Sequence, residues 1–233
     1  MDQRNDHKGF DAPSLRLHPL FKHLNEEQLQ AMTFNNVTES YKRGSIIYRE
    51  GQRIKGFYIV IQGITKIYKT GFDGKEQILR FAKTGDIIGY RSVISDEAAC
   101  TTAEWLETGS VMQIPRELLL DWIRTNGNFA VEMMKLICKE LGEANAYITD
   151  IAQKTVKERL AEVLLILDDE FGTDGDQVLM VSLTREELSN IVGTATESII
   201  RLLSDFKHEG VIALNGRKIK ILDKPGLKRI ANM

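Results

Sequence analysis

A glutamate and an arginine stand four residues apart in this chain, at Glu197 and Arg201. On a helix, side chains at this spacing lie one above the other on one face, so both can enter the same major groove of DNA. There a carboxylate accepts a hydrogen bond from cytosine N4, and a guanidinium donates two to guanine O6 and N7. The spacing therefore predicts base-specific DNA contacts by Glu197 and Arg201.

The residues around this pair predict two short amphipathic helices joined by a tight turn, over 183–207. Two capping boxes mark the helix starts, because in each a threonine and a glutamate three residues later can satisfy the first amides of a helix. They pair Thr184 with Glu187 and Thr194 with Glu197. Such helices form a helix-turn-helix, whose second helix reads the major groove. The second box leaves open the alternative that Glu197 only closes its helix end.

Two β-prone runs within 211–222 flank Asn215 and Gly216, a dipeptide favoured in tight hairpin turns. A hairpin directly after a helix-turn-helix makes a winged helix. The formal net charge is −2, so contact with DNA has to come from a local cluster rather than from bulk charge. For any one of these side chains a solvated surface is the better explanation. Together with the helix-turn-helix they predict phosphate contacts by Arg185, Ser198, Lys207 and Lys218.

The composition, 42% hydrophobic and 27% charged in 233 residues, is that of an ordinary folded globular protein. No apolar run approaches the roughly 18 residues that a membrane span needs, and the N-terminal residues are polar where a secretory signal would be apolar. We expect a cytoplasmic protein without membrane contact. Cys100 and Cys138 are too few for a four-cysteine iron–sulfur cluster, so we expect two reduced thiols and leave open whether either senses redox.

Short β-branched runs broken by glycine fill the segment from about residue 20 to residue 114. Strands at such regular spacing, with glycine at the corners, are typical of a small antiparallel barrel or jelly roll. An enzyme on a barrel of this kind would need a metal cluster of histidines and carboxylates. Residues 44–114 contain no histidine, so we do not expect an enzyme.

After residue 115 the apolar residues recur in steps of four and three over three heptads. Such a narrow stripe is the seam of a two-stranded coiled coil and predicts a homodimer. The alternative is a long helix that lies on its own barrel. The predicted dimer interface consists of Ala130, Met134, Ile137, Leu141, Ala144, Ile148 and Ile151, followed by a hinge at 152–154.

A glycine-cornered barrel, a long helix and a winged helix follow one another in this order. Four motifs accompany them: GSIIYREG at 44–51, FYIVIQG at 57–63, GDIIG at 85–89 and LTREEL at 183–188. Together these features resemble the Crp/Fnr superfamily of bacterial transcription regulators, whose members also carry a glutamate and an arginine four apart on the reading helix. The resemblance covers nearly the whole chain, from about residue 20 to residue 222.

The resemblance implies an α+β protein in three parts: a jelly-roll sensor barrel like a cyclic-nucleotide-binding domain at 1–125, a dimerisation helix and hinge at 126–153, and a DNA-binding winged helix at 154–233. It implies a double-stranded DNA palindrome with a TGA-like half-site core as partner, and makes RNA polymerase a further candidate partner. Thr196 stands where some members carry an additional guanine-reading arginine, so it is the third candidate for base reading.

The same resemblance locates an effector pocket. In members that bind cyclic AMP, a glutamate after the GDIIG-like motif accepts the ribose hydroxyl, and an arginine and a serine ten residues later hold the phosphate. Here those positions are Tyr90, and Cys100 with Thr101, so we expect cyclic AMP to bind weakly or not at all. Arg91 is an alternative source of the missing positive charge. The predicted pocket consists of Gly89, Tyr90, Arg91, Cys100, Thr101, Ala144 and Asn145.

The sequence also has few residues that could bind the other cofactors of such regulators. Haem would need an axial ligand, for which the candidates are His7, His18, His23 and Cys100, and we expect the histidines to be surface side chains instead. The effector is therefore left unnamed. The alternatives are a cyclic-nucleotide-dependent regulator with a non-standard pocket, a constitutive regulator, and a ligand-binding dimer that acts on a protein partner.

Overall fold

The computed structural model describes residues 18–34 and 38–233. The contacts divide the chain into two compact units, one within 1–69 and 79–142 and the other made of 70–78 and 143–233. Within the described ranges, no helix is both long enough and apolar enough to cross a membrane.

The first unit is built on two antiparallel four-stranded sheets, with strand orders β1-β8-β3-β6 and β2-β7-β4-β5. The strands are β1 (Thr38–Tyr41), β2 (Ile46–Tyr48), β3 (Gly56–Gln62), β4 (Ile64–Thr70), β5 (Glu76–Lys83), β6 (Ile87–Ile88), β7 (Thr102–Trp105) and β8 (Gly109–Pro115). Gly109, the first residue of β8, leaves no room for a side chain, since an added Cβ would lie 2.1 Å from Cζ3 of Trp105. The predicted antiparallel barrel is confirmed.

Helices close the first unit around an aromatic core. They are α1 (Glu26–Phe34), α2 (Tyr90–Ser95), α3 (Arg116–Thr125) and the first part of α4 (Gly127–Gln153). Trp122 of α3 meets Phe129 of α4 edge to face, with ring centroids 5.6 Å apart, and both are fully buried. Trp105 and Phe57 from the sheets complete this core.

The long helix α4 has two apolar faces with different surroundings. Phe129 and Met133 are buried in the core of the first unit. The predicted seam is mostly open to solvent instead, since its five large side chains are 40% to 65% exposed: Met134, Ile137, Leu141, Ile148 and Ile151. Ala130 is half-buried and Ala144 is exposed. The α4 residues that pack in the first unit are therefore different from those of the predicted seam. This disfavours the alternative that the seam packs on the protein's own barrel.

The second unit has the predicted winged-helix order. Its elements are α5 (Val156–Phe171), α6 (Arg185–Val192), α7 (Thr196–His208), β9 (Ile212–Asn215), β10 (Lys218–Ile221) and α8 (Lys224–Ile230). Strands β9 and β10 pair antiparallel around Gly216, which has a positive φ of 58°. The core includes Leu160, Leu164, Leu188, Leu203, Phe206 and Leu227, all at most 1% exposed. The α+β fold with a C-terminal winged helix-turn-helix is confirmed.

Candidate functional site

Helix α6 begins and ends as its sequence predicts. The Thr184 hydroxyl accepts from the Glu187 amide at 3.0 Å, and the Thr184 amide donates to the Glu187 carboxylate at 2.6 Å. The helix ends at Gly193, which has φ 71° and ψ 55°, a left-handed conformation that only glycine adopts readily. The first predicted capping box is thereby confirmed.

The second predicted capping box, Thr194 with Glu197, is wrong. Helix α7 begins at Thr196 after Ala195, and no side chain caps its first amides. Thr194 belongs to the turn instead, because its amide donates to the Ser189 carbonyl at 3.1 Å and helps to close α6. Glu197 is therefore not a capping residue, which removes the alternative that its carboxylate only closes the helix end.

The exposed face of α7 carries the two predicted reading residues. Glu197 and Arg201 are both exposed, and neither side chain makes a hydrogen bond or ion pair with any residue in the described ranges. Thr196 is different, since its hydroxyl lies 3.0 Å from the hydroxyl of the buried Ser189 on α6. Glu197 and Arg201 are thus available for base contacts, whereas Thr196 takes part in the packing of α6 on α7.

Ile200 is a candidate reading residue that the sequence analysis missed. It is 54% exposed and stands on α7 between Glu197 and Arg201, away from the buried Ile199 and Leu203. An apolar side chain at such a position can contact the methyl group of thymine. Its position three residues after Glu197, outside the buried stripe of α7, was the available signal.

Arg185 is occupied within the protein. Its Nη2 donates to the Gly216 carbonyl in the wing turn at 2.9 Å, and its Nη1 is buried without a hydrogen-bond partner among the described residues. Burial lowers the pKa of this guanidinium. Arg185 therefore joins α6 to the wing, although we predicted it as a phosphate contact.

The other predicted phosphate contacts differ in exposure. Lys207, near the end of α7, and Lys218, at the start of β10, are exposed, as is the neighbouring Arg217 in the wing turn. Ser198 is half-buried on α7. The wing and the end of α7 thus both present basic side chains to solvent, as phosphate binding requires.

The turn between α6 and α7 is held by side chains from outside the motif. Three consecutive carbonyls at the end of α6 each accept a hydrogen bond. Gln77 Nε2 donates to the carbonyl of Asn190 at 2.6 Å, and the Tyr147 hydroxyl donates to that of Ile191 at 3.1 Å. Arg159 Nε donates to the carbonyl of Val192 at 3.0 Å.

Further contacts connect these donors to one another and to the end of α4. Gln77 Nε2 also lies 2.6 Å from the Tyr147 hydroxyl, and Arg159 Nη1 donates to the Lys154 carbonyl at 2.7 Å. Burial raises the pKa of Tyr147, which keeps its hydroxyl protonated and able to donate. We call Gln77, Tyr147 and Arg159 the turn clamp. The clamp satisfies carbonyls that a helix end otherwise leaves without partners, and its arginine also suits the negative end of the helix dipole.

A second cluster of functional groups lies in the first unit, around Gly89 and Tyr90. Gly89 has a positive φ of 79°, and an added Cβ would lie 2.8 Å from Ile54 Cδ1, so the backbone here approaches its neighbours closely. The rings of Tyr48 and Tyr58 stack with centroids 5.8 Å apart. Burial raises the pKa of Tyr48 to about 12, although a hydrogen bond with Thr101 and the charge of Arg80 act the other way.

Tyr90, Arg80 and Glu140 form the charged part of this cluster. Tyr90 is 2% exposed, and its hydroxyl is close to the Glu140 carboxylate. Burial first, and then the neighbouring Glu140 carboxylate, raise the pKa of Tyr90. Arg80 Nη2 lies 3.2 Å from Glu140 Oε1, and both side chains are 31% exposed. We call Arg80, Glu140, Tyr48, Tyr58 and Tyr90 the tyrosine cluster.

The predicted pocket residues divide among three surroundings. Cys100 and Thr101 are half-buried and belong with the tyrosine cluster, since both affect the pKa of Tyr48. Arg91 is exposed, and Arg80 is the arginine whose charge acts on Tyr48 and Tyr90. Ala144 and Asn145 are exposed residues of the second unit. Strand alternation could have found Arg80, which shares a face of β5 with the buried Ile78 and Ala82.

The haem-ligand candidates have local partners. His18 Nδ1 accepts from the Leu20 amide at 3.2 Å, and burial lowers the pKa of His18. His23 Nε2 lies 3.9 Å from Glu132. His7 lies outside the described residues. Among the residues that the structure describes, no group of three histidine, cysteine or acidic side chains could hold a metal ion.

A β-barrel followed by a long helix and a winged helix-turn-helix with an exposed reading face defines a class of DNA-binding transcription regulators. Family models agree with both parts: a cyclic nucleotide-binding domain matches residues 38–126, and a Crp-like helix-turn-helix domain matches residues 158–230. The fumarate and nitrate reduction regulatory protein of Escherichia coli is 30% identical over 213 residues, which cover 89% of this chain and 84% of that protein. The chain belongs to the Crp/Fnr family of transcription regulators.

Two further relatives support this assignment. The CRP-like cAMP-activated global transcriptional regulator of Mycobacterium tuberculosis is 28% identical over 214 residues, covering 91% of this chain and 96% of the relative. A solved structure of a Crp/Fnr family regulator from Eubacterium rectale superimposes with a TM-score of 0.77 at 25% identity, covering 92% of this chain and 98% of that one.

Proposed function

We propose that this protein is a transcription regulator that binds palindromic DNA as a homodimer and senses, through its barrel, a small molecule or redox signal other than cyclic AMP. DNA-binding transcription regulation is the function common to its family. In this proposal residues 1–125 form the sensor, 126–153 the dimerisation helix and hinge, and 154–233 the DNA-binding domain. The protein acts in the cytoplasm.

The observation that carries the DNA-binding proposal is the state of Glu197 and Arg201. Both are exposed, and neither is paired with a described residue. No ion pair with a described residue therefore has to break before they meet base edges. Glu197 accepts from cytosine N4, while Arg201 donates to guanine O6 and N7 on an adjacent base pair. The turn clamp holds the end of α6 and so fixes the start of the helix that carries them.

The homodimer proposal rests on the exposed stripe of α4. Five large apolar side chains in one register are 40% to 65% exposed, and an isolated soluble helix gains by burying such a stripe against an identical one. A two-fold dimer also presents two reading helices to half-sites about one DNA turn apart.

The test is selection of binding sites from random double-stranded DNA by the purified protein. We expect an inverted repeat with a TGA-like half-site core and half-sites about 10 base pairs apart. Selection with the Arg201→Ala variant should lose preference at one base pair in each half-site. Selection of no repeat, or of the same repeat with and without Arg201, contradicts the proposal and favours a dimer that acts on a protein partner.

The sensor proposal excludes cyclic AMP because the residues that hold it in relatives are replaced. Tyr90 is buried at the position of the ribose-binding glutamate, and Cys100 and Thr101 stand where the phosphate-binding pair would be. Loss of a charge-assisted contact to the phosphate weakens binding by about ten- to a hundredfold. Calorimetry with cyclic AMP should show no binding at micromolar concentration, and a sub-micromolar dissociation constant would refute this part.

A further inference from the structure

Only two residues, Lys154 and Thr155, form the junction between the end of α4 and the start of α5. We propose that Lys154 fixes the angle between these helices by pairing with Asp150 and Glu162, and that it thereby determines which spacing of two DNA half-sites the dimer accepts. This role rests on the proposed function, because it requires a homodimer with two reading helices. It adds a residue that determines specificity without touching DNA.

The side chain of Lys154 contacts the last turn of α4 and the second turn of α5 at the same time. Its Nζ lies 2.9 Å from Asp150 Oδ1 on α4 and 2.8 Å from Glu162 Oε2 on α5. The three side chains are only 17% to 26% exposed, so solvent and salt screen these pairs less than ion pairs at an open surface. Burial acts against the charge, but the hydrogen bonds and charges of Glu162 and Asp150 raise the pKa of Lys154, so its ammonium stays charged.

The backbone of the junction is fixed by further hydrogen bonds. The Lys154 amide donates to the Asp150 carbonyl at 2.9 Å, which continues the hydrogen-bond pattern of α4 by one residue. The Thr155 hydroxyl accepts from the Glu158 amide at 3.3 Å, and the Thr155 amide donates to the Glu158 carboxylate at 2.6 Å, so α5 begins with a complete capping box. Few free torsions remain between the helices, and a side chain that bridges them can therefore define their angle.

The same junction is connected to the helix-turn-helix. Arg159 Nη1 donates to the Lys154 carbonyl at 2.7 Å, and its Nε donates to the carbonyl of Val192, the last residue of α6, at 3.0 Å. Contacts therefore run from α4 through Lys154 and Arg159 to the end of α6, directly before the turn into α7. These residues lie in the second unit together with Ile148 and Ile151 of the exposed stripe. The position of the reading face relative to this part of the stripe is thus set within one unit.

A fixed junction gives the dimer a fixed distance between its two reading helices. In a two-fold dimer the angle at the junction occurs in both protomers, so any change of the angle acts twice. One base pair of spacer moves a half-site by about 3.4 Å along the duplex and turns it by about 35°. A junction that cannot bend discriminates against half-sites displaced in this way, whereas a flexible junction tolerates them.

Affinity for duplexes that differ only in spacer length tests this role. The half-sites selected by the wild-type protein are placed at the selected spacing, one base pair closer and one base pair further apart, and a fourth duplex carries a single half-site. Binding of the full chain is followed by fluorescence anisotropy. We expect wild-type affinity to fall at least about tenfold at either altered spacing. Lys154→Met keeps an unbranched side chain but removes the charge, so it should reduce this difference to less than about threefold and bind the single half-site as the wild type does.

Glu162→Gln tests the contact that spans the junction, since it keeps the size of the side chain and removes its charge. It should relax the spacing as Lys154→Met does, and it decides the question if Lys154→Met does not fold. Lys157→Met is the matched control, because it is the same substitution on α5 and its pair with Glu209 joins α5 to the end of α7 instead of to α4. The control should keep the strict spacing of the wild type.

Four results would overturn the role of Lys154. They are equal wild-type affinity at all three spacings, strict spacing in both Lys154→Met and Glu162→Gln, relaxed spacing in Lys157→Met, and an equal loss of affinity of Lys154→Met for the single half-site, which would show that Lys154 supports only the fold of the reading motif. Selection of no inverted repeat by the wild type would instead contradict the proposed function, and with it every role in spacing.

Discussion

The reading face of α7 and the tyrosine cluster present their charges in opposite ways. Glu197 and Arg201 are exposed and unpaired among the described residues. In the tyrosine cluster, Arg80 is already paired with Glu140, and Tyr90 is 2% exposed. Glu197 and Arg201 can therefore meet a partner without losing an ion pair to any described residue, whereas the positive charge of Arg80 is already paired within the first unit.

This difference fits two different tasks. A surface that searches DNA gains from charges that are always available, since association is steered by electrostatics and base contacts follow. A sensor needs two conformational states that bind its ligand with different affinity, because only then does the ligand shift the equilibrium between them. A charged group that is already paired within the protein can provide this difference.

The largest effect is expected from charges placed in the α4 stripe, which tests whether two reading faces act together. Replacing both Ile137 and Leu141 with lysine puts like charges into the proposed interface and should give monomers. A monomer contacts one half-site, so affinity for the palindrome should fall by more than about a hundredfold. Sedimentation velocity and fluorescence anisotropy measure the two effects.

The control for this variant places the same charges elsewhere on α4. Gly142 and Ala146 are exposed and lie on the other side of the helix, so lysine at both positions should leave the dimer intact. A double Ile137→Lys and Leu141→Lys variant that still sediments as a dimer would show that the interface lies elsewhere.

The next effect is expected at Arg201. Replacement by alanine removes a bidentate base contact and should weaken binding to the palindrome by about 1 to 3 kcal/mol, with selectivity relaxed at one base pair. Lys218→Ala is the comparison, because an exposed wing lysine on a phosphate weakens binding to all sequences alike and flattens the salt dependence. Equal loss on cognate and random DNA in both variants would show that Arg201 is only a phosphate contact.

The same two regions show what the sequence could and could not predict. The helix-turn-helix and the wing could be predicted because their signals come from residues close together in the sequence. These signals are the capping box of Thr184 with Glu187, the helix end at Gly193, and the hairpin turn at Asn215 and Gly216. The start of α7 was predicted one residue early, because Thr194 and Glu197 fit a capping box by residue type, whereas the N-cap in the structure is Ala195. In the structure the amide of Thr194 is used to close α6 instead.

The tyrosine cluster and the turn clamp could not be predicted from local sequence patterns. The cluster unites Tyr48, Tyr90 and Arg80 from separate strands and a helix with Glu140 of α4. The clamp brings Gln77 to the carbonyl of Asn190, 113 positions away. Only the three-dimensional fold creates such neighbours. The family resemblance placed the predicted pocket around Gly89 and did not include Arg80, which lies outside the family motif.

A smaller effect is expected from the turn clamp, which tests whether the reading face depends on support from outside its own helices. Arg159→Met removes a charged donor from two carbonyls, those of Val192 and Lys154, and should destabilise the second unit by about 1 to 2 kcal/mol. Affinity for the palindrome should fall with it, and hydrogen exchange at Gly193 and Thr194 should accelerate.

Lys157→Met is the matched control for the clamp, since Lys157 lies on the same helix and pairs with Glu209 at the surface. Surface ion pairs contribute little, so this variant should change stability by less than about 1 kcal/mol and leave exchange in the turn unaltered. If Arg159→Met and Lys157→Met behave alike, the clamp does not position α7.

The smallest effect is expected at Ile200, where the reading face has an apolar rather than a charged side chain. Ile200 is 54% exposed beside Glu197 and Arg201, and nothing in the packing of α7 requires an isoleucine at an exposed position. If it contacts a thymine methyl group, Ile200→Ala should weaken binding to the selected palindrome by about 0.5 to 1 kcal/mol. Replacing that thymine with uracil removes the methyl group and should reduce wild-type binding by a similar amount, while the alanine variant should no longer distinguish the two bases. Stability should stay unchanged or rise slightly, because alanine favours the helix more than isoleucine does. If the variant still discriminates thymine from uracil as the wild type does, Ile200 is not the residue that reads the methyl group, and the specificity of α7 rests on its charged pair alone.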